Sequence, residues 1–442
     1  MELRHLNKAT LHKLTNSELM RGMFIYSFGS LGSKAINLAI YPLLTFYLIK
    51  SELGYYDLII NTIYLVMPIA TFQVSDGIFR FLLTSKLKEE RVKIISNGIK
   101  LILYSTLIIL STLYLIINFE PSIIHGEFVF FMAFLFSINI STKQIVRGIK
   151  KNKNYVISDI LYSFMFVFLL VLSLVVFGFG IKGVFYSFIS ANFISICYLW
   201  FSTNLFEYVE KNFNLNKSVC KDLLTYSLPL IPNSLSWWLV ASANTWIIFL
   251  FIGLEGNGIY AIAFKFSSVI YLLNKIFSLA WQDKVILQSE GENKAYNSRV
   301  FNYLLFFLFS LAIIIILISR PILRFAVSVD YYEAWKYIPW LILGTVFANV
   351  SAYFGAFYLK WKKTNKIFIT TLIGSGASVL LSLVLTKYFG LTGASLSIFL
   401  GFSLISILRY YDTKARLNLK FSPFLLIPLT LLFIVVILTY TL

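Results

Sequence analysis

The chain has 442 residues, of which 58% are hydrophobic and only 13% are charged, and its formal net charge is +18. Because soluble domains carry roughly 25% charged residues, this composition excludes an ordinary soluble protein. Apolar runs of about 20 residues recur along the chain between short polar loops, and each is long enough to cross a hydrocarbon core as a helix. The sequence therefore predicts an all-α polytopic membrane protein.

Taken in chain order, the apolar runs predict thirteen membrane-spanning helices. Their approximate limits are 22–49, 55–82, 95–117, 126–142, 155–177, 183–203, 223–252, 258–281, 300–319, 337–358, 367–386, 391–408 and 421–440. The first run is too long for a signal peptide and follows a mostly polar segment, so we interpret it as a span.

Lysine and arginine are distributed unevenly between the two sides of these spans. Of the 38 such residues, 27 fall on the side of the N-terminus, 6 on the other side and 5 within spans. The positive-inside rule therefore predicts a cytoplasmic N-terminus. The same excess attracts anionic membrane lipids, and it does not indicate binding to nucleic acid.

Two local patterns occur once in each half of the chain. Gly54 and Gly258 each stand two residues before a tyrosine at a predicted turn, and G-x-x-G-x-x-x-S begins at Gly180 and again at Gly390. The order of these matches indicates an internal duplication.

The duplication predicts two six-helix bundles related by a pseudo-two-fold axis along the membrane normal, around a central cavity that opens alternately to each side. The predicted parts are an N-terminal lobe at 1–204, a cytoplasmic linker at 205–221, a C-terminal lobe at 222–411 and an extra C-terminal transmembrane helix at 412–442.

Motifs for covalent chemistry are missing from the sequence. The stretch from Gly178 to Gly183 matches G-x-G-x-x-G, but it lies in a turn between two spans rather than after a strand, so it does not predict a nucleotide site. We predict no catalytic residues, no metal ligands and no cofactor. A membrane-embedded glycosyltransferase or polymerase is a remote alternative, because the outside loops are short and poor in acidic residues.

Charged residues inside the spans are the candidates for function, because each costs about 2.5–3.5 kcal/mol unless it faces a cavity or a partner. The cations are Lys34, Arg80, Lys100, Lys265 and Lys275, and the acids are Asp57, Asp76 and Asp159. Cations outnumber acids, which favours an anionic substrate such as a pyrophosphate. Asp57 and Asp76 are candidates for ion coupling or charge pairing, and Asp76 stands four residues before Arg80 on one helix face.

Neutral polar side chains in the spans are candidates for contacts with sugar hydroxyls. They are Asn37, Asn61, Asn244 and Asn274. Tryptophans 237, 238, 246 and 281 are suited either to sugar stacking or to interface belts.

Seven segments, read in order, resemble the polysaccharide (O-antigen-type) flippase family of the multidrug/oligosaccharidyl-lipid/polysaccharide exporter superfamily. They are LGYYDLI, SDGIFRF, RGIKKNKNY, YSLPLIPNSLSWW, GIYAIAFKFSSVI, DYYEAWKYIPWL and GLTGASLSIFLG. The resemblance implies a flippase in the bacterial inner membrane that moves an undecaprenyl-pyrophosphate-linked repeat unit to the periplasmic leaflet. It also implies coupling to a gradient of H⁺ or Na⁺, with the downstream polysaccharide polymerase as a candidate partner.

The resemblance also places cavity cations on the first, second and eighth spans, which here carry Lys34, Arg80, Lys265 and Lys275. Many relatives have an Asp-Arg pair in the seventh span, where this chain reads Ala-Asn-Thr at 243–245. The main alternative is a cation-coupled multidrug exporter of the same superfamily, whose site would require buried carboxylates.

Overall fold

The structure is a computed structural model that describes residues 40–118, 126–210, 214–287, 294–361 and 363–441. Within those ranges every regular element is a helix. Helices satisfy their own backbone N–H and C=O groups, which a segment in hydrocarbon must do. The predicted all-α architecture is confirmed.

The described chain divides into two compact units. The first holds residue 40 and residues 66–231, and the second holds residues 41–65 and 232–441. Residues 41–65 thus pack with the second unit, although they precede most of the first unit in the sequence. The predicted lobes at 1–204 and 222–411 stay a prediction.

The first unit is built on a core of β-branched and leucine side chains. Its helices are α3 (Val74–Thr84), α4 (Lys88–Asn118), α5 (Gly126–Gly148), α6 (Asn152–Val171), α7 (Gly180–Thr203) and α8 (Lys217–Ser227). Val74, Ile78 and Leu82 recur every four residues on α3, so one face of this helix is buried. That face packs with Ile145 of α5 and Leu223 of α8 in the same cluster.

The second unit holds the remaining helices and an aromatic core. Its helices are α1 (40–47), α2 (Lys50–Ala70), α9 (Ile231–Phe251), α10 (Leu254–Leu287), α11 (Lys294–Ala326), α12 (Ile338–Lys360), α13 (Thr364–Leu417) and α14 (Leu426–Thr441), except that residues 40, 66–70 and 231 belong to the first unit. Trp281 stacks on Tyr353 at 4.8 Å between ring centroids, and Phe301 packs against the same tyrosine. Trp281 is therefore a core residue of this unit.

Within the described residues, nine helices are long and apolar enough to cross a membrane. They cover the first part of the second predicted span, spans three to six and spans eight to twelve. The eleventh and twelfth spans run together in α13, with a kink at Gly390 (φ 58°, ψ −140°). The seventh and thirteenth predicted spans correspond to shorter apolar helices, Ser242–Phe251 and Pro423–Thr439. The first predicted span lies mostly outside the described residues.

The second predicted span, 55–82, is not one helix but two. The chain leaves the helical conformation between α2 and α3, where Phe72 (φ 48°) and Gln73 (φ 55°) both adopt left-handed backbone angles. Pro68 lies four to five residues earlier in α2 and cannot donate a backbone hydrogen bond. Left-handed angles cost about 1–3 kcal/mol for each non-glycine residue, so the packing around this break must hold it in place.

Candidate functional site

Asp57 is a buried carboxylate on α2, in the part of that helix that belongs to the second unit. Its Oδ1 accepts a hydrogen bond at 3.4 Å from the hydroxyl of Tyr41, which lies on α1. Its Oδ2 accepts a second one at 2.9 Å from Nδ2 of Asn61. Asn61 lies one helical turn after Asp57, which brings its amide alongside the carboxylate. The acid is thus satisfied by two neutral donors.

Lys265 of α10 lies beside the same tyrosine. Its Nζ is 4.1 Å from the centroid of the Tyr41 ring, a cation-π contact. The ammonium attracts the Asp57 carboxylate, but among the described residues no acidic oxygen lies within the 4.0 Å of an ion pair with Lys265. Tyr41, Asp57, Asn61 and Lys265 are called the Asp57 site below.

Neutral side chains of α9 adjoin the Asp57 site. Nδ2 of Asn61 is 3.4 Å from Oγ1 of Thr245, and the indole N–H of Trp238 donates to the Asn61 carbonyl at 2.7 Å. These contacts connect α2 to α9. Trp238 therefore has its polar atom engaged by the backbone of α2.

Two glycines bring α2 and α10 into backbone contact near the Asp57 site. A methyl group placed on Gly54 would lie 1.9 Å from the Leu254 carbonyl oxygen, and one on Gly258 would lie 2.2 Å from the Lys50 carbonyl oxygen. The contact is reciprocal, because each glycine faces the carbonyl four residues before the other. Only residues without a side chain fit this crossing.

Two other predicted sugar contacts are engaged with protein groups. Asn244 donates from Nδ2 to the Ala394 carbonyl at 2.8 Å, and so joins α9 to α13. Nδ2 of Asn274 donates to Oδ1 of Asn349 at 2.6 Å, which joins α10 to α12. Both side chains are buried, and of the two amides only Oδ1 of Asn274 is a buried atom without a partner.

Asp76 of α3 has a separate network in the first unit. It accepts hydrogen bonds from Nε2 of Gln73 at 2.6 Å and from Nε2 of Gln144 at 2.8 Å. Oε1 of Gln144 in turn accepts from Nη1 of Arg147 at 2.9 Å. The structure thus pairs Asp76 with two amides rather than with Arg80. Gln73, Asp76, Gln144 and Arg147 are called the Asp76 site below.

The guanidinium of Arg147 is held between two aromatic rings. It lies 4.7 Å from the centroid of Phe79 and 5.7 Å from that of Tyr155. This stacking fixes the orientation of the arginine that binds Gln144. The Asp76 site is therefore rigidly braced from α3, α5 and α6.

The remaining predicted charges have different settings. Arg80 is exposed, Lys100 is buried and donates to the Asn214 carbonyl at 3.2 Å, and Asp159 forms an ion pair with Lys143 at 2.6 Å. Lys34 and Asn37 lie outside the described residues, and the side chain of Lys275 on α10 is not described either.

Two functional candidates were missed by the sequence analysis. Tyr41 was overlooked because aromatic residues near span ends are usually assigned to interface belts. Arg409 lies one residue beyond the twelfth predicted span, 391–408, but α13 continues to Leu417 and buries it. Its guanidinium donates to the Ser351 carbonyl at 2.9 Å and to Oγ1 of Thr371 at 2.9 Å, so it ties α12 to both parts of α13.

The Asp57 site provides one acid and one cation that attract each other without direct contact. A half-buried ammonium without a direct ion pair among the described residues suits an anionic ligand such as a phosphate, and a buried carboxylate with neutral partners suits proton exchange. Within the described ranges, no group of three or more His, Cys, Asp and Glu side chains is arranged to hold a metal ion.

Comparison with solved structures identifies the class of fold. An inward-facing multidrug resistance MATE family transporter of the MOP superfamily superposes with a TM-score of 0.71 at 16% identity, covering 87% of this chain and 94% of that one. An inward closed conformation of the lipid II flippase MurJ superposes with a TM-score of 0.64 at 16% identity, covering 95% of this chain and 98% of that one. The protein is thus a multi-pass membrane protein with a MATE/MurJ-like transporter fold.

Sequence comparison identifies the family. Residues 19–281 match the family described as "Polysaccharide biosynthesis protein", and the chain belongs to that family. The predicted resemblance is confirmed. No curated protein sequence is significantly similar to the chain.

Proposed function

We propose that this protein is a flippase that carries an undecaprenyl-pyrophosphate-linked oligosaccharide from the cytoplasmic to the periplasmic leaflet by alternating access. Membership of a polysaccharide biosynthesis family on a transporter fold supports this proposal. In this role the protein moves its substrate without altering a covalent bond.

The observation that carries the proposal is the position of Lys265. It is a cation in a membrane-spanning helix, half-buried, held over the Tyr41 ring at 4.1 Å and free of a direct ion pair among the described residues. A cation in that setting can pair with a phosphate oxygen at little rearrangement cost. Lys34, Lys275 and Arg80 complete the proposed set of substrate cations, with Asn37, Asn61, Asn244 and Asn274 as proposed sugar contacts.

The crossing of α2 and α10 supports the proposed pseudo-two-fold arrangement of two six-helix lobes. Gly54 and Gly258 are equivalent positions in the duplicated sequence, and each packs against the carbonyl that lies four residues before the other. Two-fold symmetry brings equivalent residues together in this reciprocal way.

The proposed location is the bacterial inner membrane with a cytoplasmic N-terminus, supported by the bias of lysine and arginine. Reporter fusions near residues 88, 150 and 362 should all give a cytoplasmic signal. The proposed partners are the lipid-linked glycan, membrane lipids and the downstream polysaccharide polymerase. Of the two candidates for ion coupling or charge pairing, Asp57 is the proposed coupling acid and Asp76 the one that is paired within the protein.

A cation-coupled multidrug exporter is the second candidate function, since two structures with this fold are named as multidrug resistance transporters. Such a protein would bind cations through its acids. In the Asp57 site, the ammonium of Lys265 lies near Asp57, which is the one carboxylate among the described residues of the site. That ammonium repels a cationic drug. The charge arrangement therefore favours the flippase.

Complementation of a bacterial strain that lacks its polysaccharide flippase tests the proposal. Lys265→Ala should lose surface glycan and accumulate lipid-linked intermediates at normal protein abundance, and Lys34→Ala should behave in the same way, while Lys34→Arg retains part of the activity. Lys387→Ala is the matched control, because Lys387 is exposed and its Nζ also lies over a tyrosine ring, Tyr388, at 6.0 Å. Wild-type export from both Lys265→Ala and Lys34→Ala would favour the drug exporter.

A further inference from the structure

Tyr41 contacts both charged members of the Asp57 site. Its hydroxyl donates to Asp57, and the face of its ring supports the ammonium of Lys265. Tyr41 and Asp57 are each more than nine-tenths buried, so the tyrosine cannot turn away without leaving a buried carboxylate short of a donor. One side chain therefore fixes the geometry of the acid relative to the cation.

The charge of Lys265 is the charge that acts on Asp57. Among the described residues, the ionisable groups that interact with the carboxylate are Tyr41 from α1, Tyr56 from α2, and Tyr260 and Lys265 from α10. Tyr64 of α2 interacts with Lys265. The four tyrosines are neutral at ordinary pH, and α9 contributes the neutral Thr245. Whatever binds Lys265 therefore changes the electrostatic environment of Asp57.

The carboxylate is arranged for a proton and not for a metal ion. One of its oxygens faces an O–H group and the other an N–H group, and the nearby ammonium repels a second cation. Sodium sites in transporters use carbonyl oxygens of unwound backbone and of helix C-termini. Asp57 lies inside α2, seven residues after its start, where the carbonyls are engaged within the helix.

On the basis of the proposed function, we propose that Tyr41 links protonation of Asp57 to the binding of a diphosphate anion at Lys265, so that the site takes up a proton together with its substrate. An anion that pairs with Lys265 weakens the attraction between the ammonium and Asp57, and the carboxylate then accepts a proton from water on one oxygen. Protonation in turn releases Lys265 to the anion. The two effects are equal, because a coupling free energy between two sites is reciprocal.

Binding of farnesyl diphosphate to the purified full-length protein in detergent tests this linkage, with farnesol as the control for the prenyl chain alone. Wild-type protein should bind the diphosphate about tenfold more tightly at about pH 5.5 than at about pH 8, a change typical of coupled sites. Protonation of the ligand itself acts in the opposite direction, because it removes negative charge from the diphosphate. Calorimetry in buffers of different ionisation enthalpy should show proton uptake on binding.

Variants separate the roles of the three residues. Asp57→Asn should bind at about pH 8 as tightly as the wild type binds at about pH 5.5, without proton uptake. Tyr41→Phe keeps the ring under Lys265, so its affinity at acidic pH is retained while the midpoint of the pH dependence moves. Tyr41→Leu removes both contacts and should weaken binding at every pH. Lys387→Ala should match the wild type.

Two outcomes overturn different claims. Diphosphate binding by the wild type without proton uptake, or unchanged pH dependence in Asp57→Asn, overturns the linkage and leaves the flippase proposal standing. Failure of the folded wild type to bind the diphosphate at any pH, together with binding of a cation such as ethidium, overturns the flippase proposal itself. The calorimetric measurement uses wild-type protein alone, so it decides the matter even if a variant does not fold.

Discussion

The two acids of the second predicted span, Asp57 and Asp76, have surroundings that differ in kind. Asp57 accepts one long hydrogen bond of 3.4 Å and one of 2.9 Å, and lies near an ammonium that it does not touch. Asp76 accepts two short bonds of 2.6 and 2.8 Å, both from amides. Short charge-assisted bonds are the stronger ones, so the side chain of Asp76 is held more firmly in place.

The cations of the two sites differ in the same way. Arg147 reaches Asp76 only through Gln144 and is stacked between two rings, whereas Lys265 rests on a single ring face and is half-buried. The comparison teaches that an in-span acid suited to change its charge has few strong partners and a cation nearby, while an acid with a structural role has every oxygen firmly bound.

The first test of this difference between Asp57 and Asp76 replaces each acid by asparagine. Asp57→Asn should lower glycan export at least about tenfold at normal abundance, because the site can no longer change charge. In Asp76→Asn, the new NH₂ group faces a partly buried amide donor, so a hydrogen bond is lost unless Gln73 turns its amide, and the loss costs about 0.5–1.5 kcal/mol. We expect this variant to lose thermal stability and abundance, while export per molecule stays close to that of the wild type.

Export and thermal unfolding in detergent, measured on the same two proteins, separate these effects. The reverse pattern, with a stable but inactive Asp76→Asn and an active but unstable Asp57→Asn, would invert the assignment of the two sites.

A second test concerns the glycine crossing that holds α2 against α10. Gly54→Ala places a methyl group 1.9 Å from a backbone oxygen that cannot move alone, so the helices must separate and stability should fall by about 3 kcal/mol. Gly376→Ala is the control, because no atom lies within 4 Å of the added methyl group, and it should gain about 0.5–1 kcal/mol. Equal melting temperatures for the two variants would show that the crossing is not tightly packed.

The sequence was sufficient to predict the helices and three of the four residues of the Asp57 site, Asp57, Asn61 and Lys265, but not Tyr41. Apolar runs located twelve of the thirteen predicted spans in helices that the structure describes, and the cost of a charge in hydrocarbon singled out Asp57 and Lys265. That these two residues share a site was not predictable. They lie on helices about two hundred residues apart in the chain, and a single sequence carries no signal for that contact.

The break between α2 and α3 was also not predictable. Breaks in helices are usually signalled by glycine or proline at the point of the break, but the left-handed residues here are Phe72 and Gln73. Tertiary contacts hold this segment, because Phe72 packs against the core of the first unit and Gln73 donates to Asp76, which Gln144 of α5 also binds. A feature maintained by packing against other helices leaves no local pattern in the sequence.

A third test addresses the stacked arginine of the Asp76 site. Arg147→Lys keeps the charge but loses the planar group that lies over Phe79 and the directed bond to Gln144. We expect a loss of about 1–2 kcal/mol in stability, seen as a lower melting temperature. Arg324→Lys is the control at an exposed position and should leave the melting temperature unchanged. An equal effect of both would mean that the stacking contributes no stability.

The smallest expected effects come from ion pairs of the first unit. Lys143 and Asp159 are 2.6 Å apart with side chains only 15% and 20% exposed, whereas Lys88 and Glu207 are 3.1 Å apart with side chains 66% and 55% exposed. Removing one partner of a buried pair leaves the other charge unsatisfied, and burial here is partial, so Lys143→Ala should cost about 1–3 kcal/mol. Exposed pairs contribute about 0–1 kcal/mol.

Lys88→Ala should therefore lower the melting temperature very little, and the small effect should disappear at high salt, because solvent-exposed charges are screened within about 10 Å at 0.1 M ionic strength. The effect of Lys143→Ala should persist at high salt, since its partner is shielded from ions. Unfolding curves of both variants at low and high salt make the measurement. Equal salt sensitivity of the two variants would mean that Asp159 is as accessible to ions as Glu207. Among these acids of the first unit, Asp76, with its two short amide bonds, would then be the one whose side chain is held firmly.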